Sequence, residues 1–447
     1  MTTSPTMTNA RGEAKTWRDS IRITRTGIFA VLFIIIGLWV LISVPRNIPG
    51  DATTLLTIDS AGTMGVSVPT VGFAVIAAFL YIGGGLVALL PGTVAGLIGQ
   101  RRGDSIIRLG FWWLVLNGIL VIPLVLIIIA AGGKTNITVM LQESLRLSTP
   151  VMIGAMAGIW AERSGVTNIA IEGMMLSGAC LGFVTYTIVA AGGMDIGYAQ
   201  ALGVVAAVIS GGLMAALHAW LSISFKTNQI VSGTVVNILA IGLTSYLRRE
   251  VLVSSEAARS TLSSLPFLSQ FGLSKIPIVG DVFLSGKPIF YAMILLVIAT
   301  HIIMYYTRWG LRTRAVGENP HAADTLGINV IRNRWINVII SGMIAGMAGA
   351  WFTLETTGAF DDNMTAGKGF IALAAMIFGN WTPFGAAAGG LLFGFSEALG
   401  QRFQFLGVPI PPQFLQMVPY LVTIIVLAGL IGKATPPKAD GVPYEKE

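Results

Sequence analysis

The sequence predicts an all-α integral membrane protein, a polytopic bundle of about twelve transmembrane helices, some of them short or broken. Three observations carry that expectation. Of 447 residues, 54% are hydrophobic and only 11% charged, a balance foreign to ordinary soluble domains. Stretches such as IFAVLFIIIGLWVLISV (28–44), FWWLVLNGILVIPLVLIIIAA (111–131) and YLVTIIVLAGLIG (420–432) hold no charge, and about 20 such residues span the hydrocarbon of a bilayer. The 54 glycines fit a chain whose helices approach one another closely in lipid.

Spans are expected near 28–44, 70–90, 110–131, 146–161, 168–190, 200–222, 228–247, 288–306, 335–357, 369–380, 383–400 and 415–432. The first follows a basic run (Arg11, Lys15, Arg18, Arg22, Arg25) and leads into Pro-Arg-Asn-Ile-Pro, which offers no small-x-small cleavage site, so it reads as an uncleaved span. With both termini placed in the cytoplasm, 18 of the 28 Lys and Arg residues fall on the cytoplasmic side. The net charge of +7 is accounted for by that bias, and no nucleic-acid partner is needed to explain it. Arg248 and Arg249 open a long external loop, 248–287, where charge has little influence on orientation. The one cysteine, Cys180, excludes an internal disulfide.

The loop 307–334 contains GENPHAADTLGINV, a mostly polar stretch between arginines. Asn319 suits an N-cap, Pro320 the first helical position and Gly327 the left-handed residue after the end. A helix of about seven residues does not hold alone, so something must pack on it. It is either a connector or a docking element whose apolar knob would be Ala322, Ala323 and Leu326; if it is a knob, Ala323→Asp should abolish docking and the function that depends on it while leaving the protein folded.

Three stretches carry a family resemblance. RWGLRTRAVGENPHAADTLGINV (308–330) resembles the coupling loop of ABC importer permeases that serve simple sugars, branched-chain amino acids and nucleosides. ERSGVTNIAIEGMMLSGA (162–179) and FDDNMTAGKGFIALAAMIFGNWTPFGA (360–386) resemble signatures of the nucleoside-uptake permeases in that group. The resemblance implies a core over 146–432 with about nine spans, a tail at 433–447, and an N-terminal extension over 1–145 with about three further spans to which it assigns no role. It also implies a second homologous permease, ABC ATPase subunits that bind ATP and Mg, an extracytoplasmic substrate-binding lipoprotein, and a nucleoside as solute crossing the bilayer. Coupling to the ATPase would fall to Glu318, Asn319, Pro320, His321, Ala322, Ala323, Asp324, Leu326 and Gly327.

The chain has no phosphate-binding G-x-x-x-x-G-K-S/T loop, so it is expected to carry no cofactor of its own. It also lacks H-E-x-x-H and G-x-S-x-G, and His218, His301 and His321 are scattered; neither a catalytic residue nor a metal site is expected. His218 and His301 read as satisfied residues near span ends.

Acids within spans tend to face a bundle interior or a wet cavity, and Glu172, Glu355 and Glu397 qualify. Glu172, with Asn168 four residues earlier on the same helical face, either lines the solute route or bonds a neighbouring element and sets the fold. Glu355 would be solvated near the external end of its span, and Glu397 would pair with Arg402. SGVTNIAIEGMMLSGA and GKGFIALAAMIFGNW are both short, glycine-flanked segments of the sort that build midplane sites. A nucleoside needs aromatic faces and amides, which gives Asn168, Glu172, Asn237, Phe352, Glu355, Phe360, Phe370 and Asn380 as pathway candidates. An ion-coupled carrier using Glu172 and Glu355, or a membrane enzyme, remains an alternative.

Overall fold

The computed structural model describes residues 25–57, 65–89, 100–254, 264–266, 279–405, 413–414, 417 and 434–446. Apart from Met417, the span expected at 415–432 lies outside the described residues. The chain forms two units that divide at 137/138.

The first unit holds α1 (Arg25–Asn47), β1 (Thr53–Thr57), β2 (Gly65–Pro69), α2 (Thr70–Leu89), α3 (Gln100–Ile129) and β3 (Lys134–Asn136). Its helices pack through small residues: a Cβ on Gly85 would stand 2.6 Å from the Ala30 carbonyl, and one on Gly37 2.8 Å from that of Ala78. Tyr81 and Phe33, with ring centroids 5.4 Å apart, fill the space beside them. The strands form a three-stranded sheet ordered β2-β1-β3. β1 runs antiparallel to β2, from Thr53 opposite Pro69 to Thr57 opposite Gly65, and parallel to β3. Sequence periodicity missed this sheet, because strands of three to five residues between spans give no long apolar signal.

The second unit contains α4 (Ile137–Glu162), α5 (Ile171–Ala191), α6 (Ile196–Ala219), α7 (Gln229–Leu247), α8 (Val279–Phe283), α9 (Pro288–Tyr306), α10 (Arg308–Glu318), α11 (Pro320–Thr325), α12 (Val330–Ala350), α13 (Lys368–Phe378) and α14 (Pro383–Phe405). π-helical turns extend α6 (Trp220–Ser224), α7 (Arg248–Val253) and α12 (Trp351–Thr357). The Asp195 and Asn228 side chains cap α6 and α7. At the centre, α5, α6 and α12 meet backbone to backbone: a Cβ on Gly211 would stand 2.1 Å from the Gly342 carbonyl, and one on Gly349 2.0 Å from that of Met175. Any side chain at those points would force the helices apart.

Among the described residues, eight helices are long and apolar enough to cross a membrane. They are α1, α2, α3, α5, α6, α7, α9 and α12. α4 carries Gln142, Glu143 and Arg146 in its first turns, α14 carries Glu397 and Arg402, and α13 has only 11 residues.

Candidate solute and coupling site

α4 ends at Glu162 and α5 starts at Ile171; the residues between them turn back without forming a helix. Asn168 lies in that segment, so it does not share a helical face with Glu172 as the sequence spacing predicted. The break is held by tertiary partners that a local pattern cannot show. Asn168 Oδ1 accepts from the Ala170 amide, and its Nδ2 donates to Ser341 Oγ on α12 at 2.9 Å. Asn237 on α7 completes the frame: its Oδ1 accepts from the Gly173 amide at 2.7 Å and its Nδ2 donates to the Ile169 carbonyl at 3.0 Å.

Glu172, 5% exposed, spends both carboxylate oxygens on the start of α13. Oε1 accepts from Thr365 Oγ1 at 2.5 Å and the Gly367 amide at 2.9 Å; Oε2 accepts from the Gly369 amide at 2.6 Å. Gly367, preceding α13, offers no side-chain cap of its own, so a carboxylate from α5 satisfies amides that a helix start leaves open and meets the positive end of its dipole. Gly369 must be glycine for this contact, since a Cβ there would stand 2.5 Å from the Glu172 amide nitrogen.

α13 rises about 16 Å, roughly half of a hydrocarbon core about 30 Å thick. Its far end is tied to α4: Trp381 Nε1 donates to Glu162 Oε2 at 2.6 Å, and Arg163 Nε donates to the Trp381 carbonyl at 3.0 Å. Asn380 is at this end, remote from Glu172, and its Oδ1 accepts from the Thr435 amide at 2.9 Å. Asn380 and Trp381 hold left-handed backbone, φ 51° and 53°, in the turn between α13 and α14. Glu162, Arg163 and Trp381 went unremarked as a cluster in the sequence because 218 residues separate Arg163 from Trp381.

The other candidates divide by exposure. Phe352 and Phe360 are buried, whereas Phe370, in the first turn of α13, is 49% exposed. Glu355 is 3% exposed, not solvated as expected: its Oε2 accepts from the Ile289 amide at 2.6 Å and thereby caps α9. Lys287 Nζ donates to the Glu355 carbonyl. The two border a pocket that also includes Gln142, Glu143, Arg146, Ser285 and Phe290. Burial and the nearby Arg146 lower the Lys287 pKa. Glu397 pairs with Lys368, not with Arg402, whose guanidinium lies over the Phe405 ring. His218 is buried between Ser232 Oγ and the Thr167 carbonyl, and His301 packs among Tyr305, Tyr306 and Phe384.

The stretch 307–334 is more helical than expected. Beside the short α11 it contains α10, whose arginines and low apolar content hid it from a search for spans. α10 is fastened to α12 by Thr313 Oγ1, which accepts from Asn337 Nδ2 at 3.1 Å. Asn319 Oδ1 accepts from the Ala322 amide at 3.1 Å, Pro320 takes the first helical position, and Gly327 has φ 79°. Glu318, Asn319, His321 and Ala322 are exposed and Asp324 is half-buried. Leu326 is 82% exposed, but Ala323 is 2% exposed and packs inward on Val316, Val330 and Tyr444. Ala323 therefore does not belong to an outward knob: on a helix this short, the tertiary packing chooses which face is buried.

Known proteins resolve the class. The family described as "Branched-chain amino acid transport system / permease component" matches residues 140–427, and the chain belongs to that family. It is 38% identical over 317 residues to the guanosine ABC transporter permease protein NupQ of Bacillus subtilis (strain 168), covering 69% of this chain and 97% of that one. It is 39% identical over 315 residues to the nucleoside ABC transporter permease protein NupC of Lactococcus lactis subsp. cremoris (strain MG1363), 70% and 98% of the two chains. The putative glucose ABC transporter permease protein TsgC13 of Haloferax volcanii is 32% identical over 307 residues, 65% and 90%. No solved structure matches. The chain is a multi-pass membrane protein and a permease subunit of an ABC transporter.

Proposed function

We propose that this chain forms the translocation pathway of an ATP-driven nucleoside importer and docks its ATPase through α11. The observation that carries the solute is the similarity, over nearly their whole length and about 70% of this chain, to two permeases named for guanosine and nucleosides, each closer in identity than the glucose relative. That glucose relative is also the reason to keep a sugar as the second reading.

The short α11, capped by Asn319 and carrying the exposed Leu326, supports the docking role. In this reading α11 and both termini face the cytoplasm, and the span at 415–432 completes about twelve helices. ATP and Mg are bound by the partner ATPase, a second permease completes the membrane pair, and an extracytoplasmic lipoprotein delivers the solute. The route passes the start of α13. Glu172 has no free carboxylate oxygen there, so its part is to hold α13 broken at about half the membrane depth, together with Asn168 and Asn237. Phe370, half exposed one residue beyond Gly369, is the aromatic face available to a base.

Uptake of labelled uridine and guanosine, in cells with and without the chain, tests the solute. Deletion should abolish uptake, with competition by unlabelled nucleosides and none by ribose or leucine. Competition by ribose instead would move the assignment to the sugar reading.

A further inference from the structure

The sequence reading leaves 433–447 as a cytoplasmic tail with no fold of its own, yet residues 434–446 are folded onto the second unit. Two successive turns shape it, with the Asp440 amide donating to the Pro437 carbonyl and the Val442 amide to that of Ala439. On one side the tail grips the coupling region. The Ala439 amide donates to the Gly317 carbonyl at 2.9 Å, and Tyr444 packs on Ala323, with its ring centroid 5.3 Å from that of His321. On its other side it grips the segment that leads to Glu172: Thr167 Oγ1 donates to Asp440 Oδ1 at 3.1 Å. Arg334, 2% exposed, lies in the same layer. It donates to the Val442 carbonyl at 2.9 Å and sits so close to Gly165 that a Cβ there would stand 2.8 Å from its Nη2.

We propose that this tail is a second coupling element, a strap that carries the movement of α11 to the 163–170 segment and so to the broken helices at Glu172. Besides the strap, Gly317 touches this segment at the Arg163 carbonyl. The tail adds attachments on both sides, and its residues act by positioning. The proposal rests on the docking role given to α11 above.

The test uses the complete transporter in vesicles, comparing wild type, a truncation after Thr435, and the milder double variant Tyr444→Ala/Asp440→Asn. ATPase retention, ATP hydrolysis and guanosine uptake are measured on each. The strap predicts that both variants keep the ATPase and hydrolyse ATP while uptake per ATP falls about tenfold. Unchanged uptake would overturn the proposal, as would a parallel fall in retention, hydrolysis and uptake by the double variant, which marks a merely structural contact. Wild type that hydrolyses no ATP in support of uptake would retire the docking reading, and the strap with it.

Discussion

Glu172 accepts the amide of Gly369 at 2.6 Å across 197 residues of sequence, and with Thr365 and Gly367 it closes the start of a helix that cannot cap itself. A buried acid in a membrane span invites a solute-binding or proton-carrying role, but this one is already occupied on both oxygens. In the proposed pathway its part is to hold the geometry of α13.

Glu172→Gln should therefore act first on stability. An amide has one acceptor oxygen, so at least one of the three donors is left facing an N–H group. The expected loss is about 2 kcal/mol. Thr365→Val, which removes one donor and leaves the carboxylate its two amides, should cost about 1 kcal/mol. Thermal unfolding in detergent measures both, and uptake should fall in the same order.

Ala323 and Leu326 separate folding from docking. Ala323→Asp puts a charge among Val316, Val330 and Tyr444 and should destabilise the platform by about 3 kcal/mol or more, read as rapid proteolysis of 308–334. Leu326→Asp changes a side chain that is 82% exposed and should leave proteolysis unchanged while uptake is lost. Normal uptake with Leu326→Asp would remove the docking role from α11.

The tail should bind more firmly in acid. Burial raises the Asp440 carboxyl from 3.8 to about 6, against the hydrogen bonds from Thr167 and the Gly441 amide and the charge of Arg334. The docked tail thus holds the Asp440 proton more tightly than a free tail does, which favours docking below about pH 6 and withdraws that contribution as pH rises through 6. Hydrogen-exchange protection factors at the Ala439 and Val442 amides, with the base-catalysed intrinsic rate divided out, should be higher at pH 5.5 than at pH 7.5. Asp440→Asn should flatten the difference.

Much of the second unit is legible in the sequence because a span announces itself by length and apolarity: α5, α6, α7, α9 and α12 all begin within a few residues of where the apolar runs place them. The capped turn of α11 is legible too, since Asn319, Pro320 and Gly327 each have a local reason to be there. What was hidden depends on distant partners. The break at 163–170 is fixed by Ser341 and Asn237, the burial of Glu355 by the start of α9, and the inward turn of Ala323 by Tyr444, more than a hundred residues on. No periodicity reports such contacts. α10 and the tail were missed for the opposite reason: their charge and proline content resembles a solvated connector, although Thr313 and Asp440 each find a partner.

The most direct measurement is accumulation of labelled guanosine in sealed vesicles carrying the complete transporter, with ATP supplied on the α11 side and all ion gradients collapsed. The account predicts accumulation that requires ATP and is lost with Leu326→Asp. Accumulation that proceeds without ATP and instead follows an imposed proton or sodium gradient would contradict it, and would make the chain an ion-coupled carrier.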